Sequence, residues 1–151
     1  MERAGLNSID AGYGPSVYFA FRTLGAFLGA FFLAKYSSSK FFKLNMVGAV
    51  LALIALIFIG DKMSIFALYG IIGFTIANIF PIIFGMAIQS RPDKANEISG
   101  LMITGVFGGA VIPFFMGLMS DGLGSQVGAV IVILASALYL FYLAFAVKPQ
   151  G

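Results

Sequence analysis

The sequence predicts an all-α membrane protein with five transmembrane helices, and three observations carry that reading. Five long apolar stretches fill the chain: Ser16 to Ala34, Leu44 to Gly60, Met63 to Gln89, Ile98 to Met119 and Val127 to Val147. Inside them, Arg22 is the only permanently charged side chain. Apolar residues make up 60% of the chain and charged residues 10%, far from the balance of an ordinary soluble domain. Each stretch is long enough to cross a hydrocarbon layer of about 30 Å, which takes about 20 helical residues. Such continuous runs do not alternate as barrel strands do, and lipid offers the backbone no hydrogen-bond partner, so the spans must be helices.

The first span holds Arg22 and the pair Gly25/Gly29. Glycines four apart lie on one helix face and let a second backbone approach closely; a hinge or gate is the other reading. Arg22 sits roughly 9 Å into the span by helical rise. A charge at that depth pairs, faces water or snorkels to the interface. No Asp or Glu lies in any span, so an acidic partner at membrane depth must come from elsewhere.

The second span, Leu44 to Gly60, is uniformly apolar apart from its first turn. The third, Met63 to Gln89, exceeds the usual length and is expected to tilt or project. It contains Thr75, Asn78 and Pro81. Pro81 lacks a backbone donor and clashes with the carbonyl of Ala77, which predicts a kink there. Thr75 and Asn78, three residues apart, are expected on one face. An amide beside a broken helix either lines a cavity or supplies a hydrogen bond between helices; the residues alone leave both open.

The fourth span, Ile98 to Met119, carries Thr104, the run Gly105-Val106-Phe107-Gly108-Gly109 and Pro113. So many helix-weakening residues suggest a flexible or closely packed element. Thr104 and Gly108 share a face that could meet Asn78 across a cavity, or Thr104 bonds a carbonyl of its own helix. The fifth span, Val127 to Val147, is followed by Lys148.

The intervening loops, Tyr36 to Lys43, Asp61-Lys62, Ser90 to Glu97 and Ser120 to Gln126, are short. Loops of this length predict one bundle in which consecutive helices are antiparallel neighbours. Residues 1–15 are read as an external N-terminal segment without a cleavable signal, 16–147 as the five-helix bundle and 148–151 as a cytoplasmic tail.

The net charge of +3 does not point to nucleic acid, because the basic residues are sorted by side. Lys35, Lys40, Lys43, Arg91, Lys94 and Lys148 fall together if the chain threads the bilayer five times, opposite Arg3 and Lys62. That bias puts the N-terminus outside and the C-terminus in the cytoplasm. Cysteine and histidine are absent, which excludes disulfides, thiolate or imidazole metal sites and Ser/His or Cys/His catalysis. Without paired carboxylates or a phosphate-binding loop, no enzyme, metal or cofactor is expected.

The segments Ile76-Ala77-Asn78-Ile79-Phe80-Pro81-Ile82-Ile83-Phe84 and Gly100 through Pro113 resemble the major facilitator superfamily. The nearest branch is the fucose permease type of sugar/proton symporter. Met116-Gly117-Leu118-Met119-Ser120-Asp121 is similar to the same branch, as is Gly25-Ala26-Phe27-Leu28-Gly29 with the basic loop after it. The position after the first glycine, often arginine in that family, is Ala26 here.

The resemblance implies two six-helix halves with substrate held between them, of which this chain would supply helices eight to twelve, part of the C-terminal half. It implies proton-coupled uptake of a hexose or deoxyhexose across a bacterial inner membrane. The coupling carboxylates would lie in the missing N-terminal half. Asn78 would face the sugar, with Thr75 and Thr104 beside it and Arg22 toward the missing half. The partners implied are sugar, protons and the lipid bilayer. The competing expectation is a small stand-alone membrane protein that assembles with itself or a partner and does not transport.

Overall fold

The computed structural model describes residues 8–146, and every long element among them is helical. The order is α1 (Ser8–Lys35), α2 (Ser38–Phe58), α3 (Lys62–Ile76), α4 (Ile79–Ser90), α5 (Ala95–Leu123) and α6 (Val127–Ala146), with a single 3-10 turn at Pro92–Lys94. Five membrane-length spans result, because α3 and α4 together form the third. This is a multi-pass membrane protein. The expected tail, 148–151, and residues 1–7 of the expected N-terminal segment lie outside the described residues.

Several helices extend beyond their apolar stretches, whereas α2 stops short of its own at Phe58. The first helix already begins at Ser8, with Asp10 in its first turn and Pro15 inside it. Thus residues 8–15, expected as part of an external segment, are helical and continuous with the first span. The expected loop Tyr36 to Lys43 contracts to Tyr36-Ser37, because α2 starts at Ser38 and takes in Lys40 and Lys43. Lysine is a good helix former, so polarity marked the membrane boundary and not the helix boundary. At the other end of α2, Asp61 caps α3 by accepting a hydrogen bond from the Ser64 N–H at 2.9 Å. That bond holds the Asp61 carboxyl below the usual carboxylate range.

The α5–α6 connection is closed by backbone geometry. Gly124 takes the left-handed conformation, with φ 57°, where a side chain would be strained. The Ser125 N–H reaches the Ser120 carbonyl at 3.0 Å. Ser120 Oγ accepts from the Ala129 N–H at 3.1 Å, and Gly128 lies directly against the Met119–Ser120 backbone.

Packing order differs from chain order. The expectation that consecutive helices are neighbours fails for α1, which lies along α3 and barely touches α2. Glycines on both partners explain it. A Cβ at Gly25 would fall 2.7 Å from the Phe74 carbonyl oxygen, Gly70 faces the Phe21 ring, and Gly73 abuts the Tyr18 carbonyl. Contacts at Gly14–Tyr69, Gly25–Phe74 and Gly29–Asn78 advance together along both helices, so α1 and α3 run parallel. From α3 the packing continues through α2 and α6 to α5.

The core belongs to α2. Phe42, Met46 and Ala49 pack with Ile79, Ile82 and Ala144, while Val50, Ala52 and Leu53 pack with Leu68, Ile72 and Ala137. At the far end of the order, α5 has no buried residue. Nothing approaches Gly105, Gly108 or Gly109 within 4 Å of where a Cβ would stand. The close packing that Gly105/Gly109 suggested is therefore not made among the described residues. Pro113 lies inside α5 without dividing it.

Candidate functional site

The third span is interrupted where its sequence cannot hold a continuous helix. Pro81 brings no N–H to the Ala77 carbonyl. The regular helix accordingly stops at Ile76 and resumes at Ile79. Asn78 caps the second piece at φ −104°, ψ 2°, in the sparsely allowed bridge region. The break thus falls one turn before the proline, at Ala77-Asn78.

That break presents the Asn78 amide to α1. Asn78 is 5% exposed, and its Nδ2 donates to the Gly25 carbonyl oxygen at 2.6 Å. Gly29, one turn on, makes room: a Cβ there would overlap the Asn78 amide. A buried amide held by a backbone carbonyl is the interhelical bond that lipid-embedded bundles use. It also ties the helix break to α1.

Thr75 and Thr104 lie elsewhere. Thr75 Oγ1 donates to its own helix, to the Ile71 carbonyl at 2.8 Å and the Ile72 carbonyl at 3.1 Å. Its methyl faces α2, 3.0 Å from where a Cβ at Gly48 would stand. Thr75 and Asn78 therefore point to different neighbours, contrary to the shared face expected from their spacing, because the break intervenes. Thr104 Oγ1 donates to the Gly100 carbonyl at 2.9 Å on exposed α5. It does not meet Asn78, since α5 packs on α6 and leaves the Gly108 face open.

Arg22 lines an open concavity of about 620 Å³ on α1, bounded by Phe19, Thr23, Ala26, Phe27, Ala30 and Ala77. Ala77 belongs to the helix break, so Arg22 and Asn78 flank the same stretch of wall. Among the described residues no carboxylate pairs with Arg22; the ion pairs are Arg91–Asp93 at 3.8 Å and Lys94–Glu97 at 3.6 Å. No group of potential metal ligands occurs among the described residues.

Asn45 is a residue that sequence reasoning passed over. It is 5% exposed in α2, and its Nδ2 has no hydrogen-bond partner. The signal was the one that marked Asn78, an amide within an apolar helix. It stands in the first turn of its apolar stretch, where a polar residue is ordinary.

The chain is similar to proteins named as transporters. It is 29% identical over 133 residues, 87% of its length, to a putative glucose/galactose transporter of Helicobacter pylori (strain J99). It is 23% identical over 139 residues, 92% of its length, to a glucose/galactose transporter of Brucella abortus (strain 2308). The matched region is 32% of the first protein and 34% of the second, so the chain spans about a third of these relatives. No family model matches the chain. No solved structure matches it either.

Proposed function

We propose that this chain is the C-terminal portion, helices eight to twelve, of a major-facilitator sugar transporter of the fucose permease-like kind. The observation that carries the reading is the similarity of most of the chain to a third of two glucose/galactose transporters. The transported solute is a hexose, with glucose and galactose the first to test, and uptake is coupled to protons through carboxylates outside this segment. The segment lies in a bacterial inner membrane with its N-terminus outside and its C-terminus in the cytoplasm, following the sorting of its lysines.

In this reading α1, α3 and α4 form one wall of the sugar path. Arg22 and the Ala77-Asn78 break mark it, and sugar hydroxyls require partners of the kind an amide provides. Asn78 has a double part, joining α1 to the break and offering its remaining polar capacity to the sugar when the halves rock. Thr75 and Thr104 need their helices to turn before their hydroxyls serve a ligand, because both now bond carbonyls of their own helices. The open faces of α1 and α5 are where the rest of the transporter packs.

The test is uptake of radiolabelled glucose and galactose by cells that lack their own hexose transport and express the whole reading frame containing this segment. Accumulation that collapses when the proton gradient is dissipated supports the reading. No accumulation of any hexose, with the protein present in the membrane, overturns it.

A further inference from the structure

The charged residues of the chain are not distributed evenly among its junctions. At the α4–α5 junction each cation has an anion: Arg91 lies 3.8 Å from Asp93, and Lys94 lies 3.6 Å from Glu97. The α1–α2 junction lies on the same side of the bundle, two crossings away, and carries Lys35, Lys40 and Lys43 with no acidic residue between Asp10 and Asp61. Its positive charge is unopposed by the sequence around it.

The seating of these lysines says where the charge is presented. Lys35 Nζ stands 4.5 Å from the centroid of the Phe31 ring, and Lys43 Nζ 5.3 Å from that of Phe145. Both rings are exposed, Phe31 at 57% and Phe145 at 51%, and both stand in the last turns of membrane-length helices. An ammonium held over a ring at the end of an apolar span is at the edge of the hydrocarbon, at the level of phospholipid phosphates. Lys40 is exposed between them in sequence, and Tyr36, 62% exposed, lies at the turn as interfacial aromatics do.

We infer that the α1–α2 junction is a binding surface for anionic phospholipid, with Lys35, Lys40 and Lys43 gathering the headgroup phosphate. Charge sorting during insertion needs only that the lysines stay on one side. It does not require two of the three to be docked on exposed rings at span ends, or the neighbouring junction to be neutral. Juxtamembrane lysines attract anionic lipid individually and additively. The surface is independent of the substrate.

The test is native mass spectrometry of the full chain released from mixed micelles containing equal dioleoyl phosphatidylglycerol and dioleoyl phosphatidylcholine. The unmodified chain is expected to retain phosphatidylglycerol with a preference of about tenfold or more. The variant K35Q/K40Q/K43Q is expected to lose that preference, while K35R/K40R/K43R keeps it and reports that the fold tolerates change at these positions. Lys94→Gln, at the neutral junction, is expected to leave it unaltered. Equal retention of both lipids by the unmodified chain overturns the inference, as does full preference in the glutamine variant. Displacement of the bound lipid by millimolar inorganic phosphate would assign the surface to a free anion and overturn it as a lipid site.

Discussion

Asn78 and Gly25 are joined across two helices by one hydrogen bond, Nδ2 to carbonyl oxygen, 2.6 Å long and buried. The bond sits at the break of the third span, so it couples that break to α1. Removing the amide takes away the interhelical partner of the Gly25 carbonyl, which keeps the backbone bond of its own helix, and opens space against Gly29. Asn78→Ala is expected to destabilise the detergent-solubilised chain by about 1–2 kcal/mol, read as a lower unfolding midpoint on a helicity-monitored melt. An unchanged midpoint would show that the bond does not hold α1 in place.

Asn45 provides the opposite case. Its amide is as buried as that of Asn78 but has an idle donor, and burying a polar group without a partner is unfavourable. Asn45→Leu is expected to be neutral or to stabilise by about 1 kcal/mol. Asn78→Leu should destabilise. Melts of the two leucine variants side by side check the contrast.

The glycines divide in the same manner. Gly29→Ala places a methyl where the Asn78 amide lies, and Gly25→Ala places one against the Phe74 backbone. Each should separate α1 from α3 and cost about 1–3 kcal/mol. Gly105→Ala meets nothing within 4 Å, and replaces a poor helix former with a good one. In this chain it should be neutral or stabilising by up to about 1 kcal/mol. A cross-link between cysteines placed at positions 14 and 69 would report α1–α3 proximity directly, forming in Gly105→Ala and weakening in Gly29→Ala.

Asp61 supplies a pH dependence. Its carboxyl is lowered by the Ser64 N–H it accepts from, so the folded state favours the ionised form. The stabilisation is complete above the ordinary carboxylate range, about 3.9, and is lost as pH falls through the lower folded value. Asp61→Ala should remove the acid-side slope of the melting midpoint that this residue contributes. Unaltered slope in the variant would contradict the cap.

The five spans were legible because lipid imposes a minimum apolar length and forbids charge, and both constraints appear directly in the residues. The glycine face of α1 was legible for the same kind of reason, since Gly25 and Gly29 need a close neighbour. Which helix that neighbour is was not legible. Short loops suggested α2, but complementary glycines on α3 decide the contact, and complementarity between two faces has no mark in either alone. The position of the kink was nearly right, because Pro81 removes a defined hydrogen bond; the chain breaks one turn earlier, where Asn78 finds the Gly25 carbonyl. Thr75 does not share the face of Asn78, because helical spacing does not carry across that break. Of the two readings of Thr104, the bond to a carbonyl of its own helix is the one made; α5 packs chiefly on α6, and an open face looks identical in sequence to a buried one.

The most direct measurement is the genomic sequence upstream of the Met1 codon. An open reading frame continuing in phase through about seven further apolar spans, with carboxylates among them, is expected if this chain is one wall of a sugar transporter. An in-phase stop codon followed by a ribosome-binding site immediately before Met1 would contradict it and establish a five-span protein that must close its own open faces.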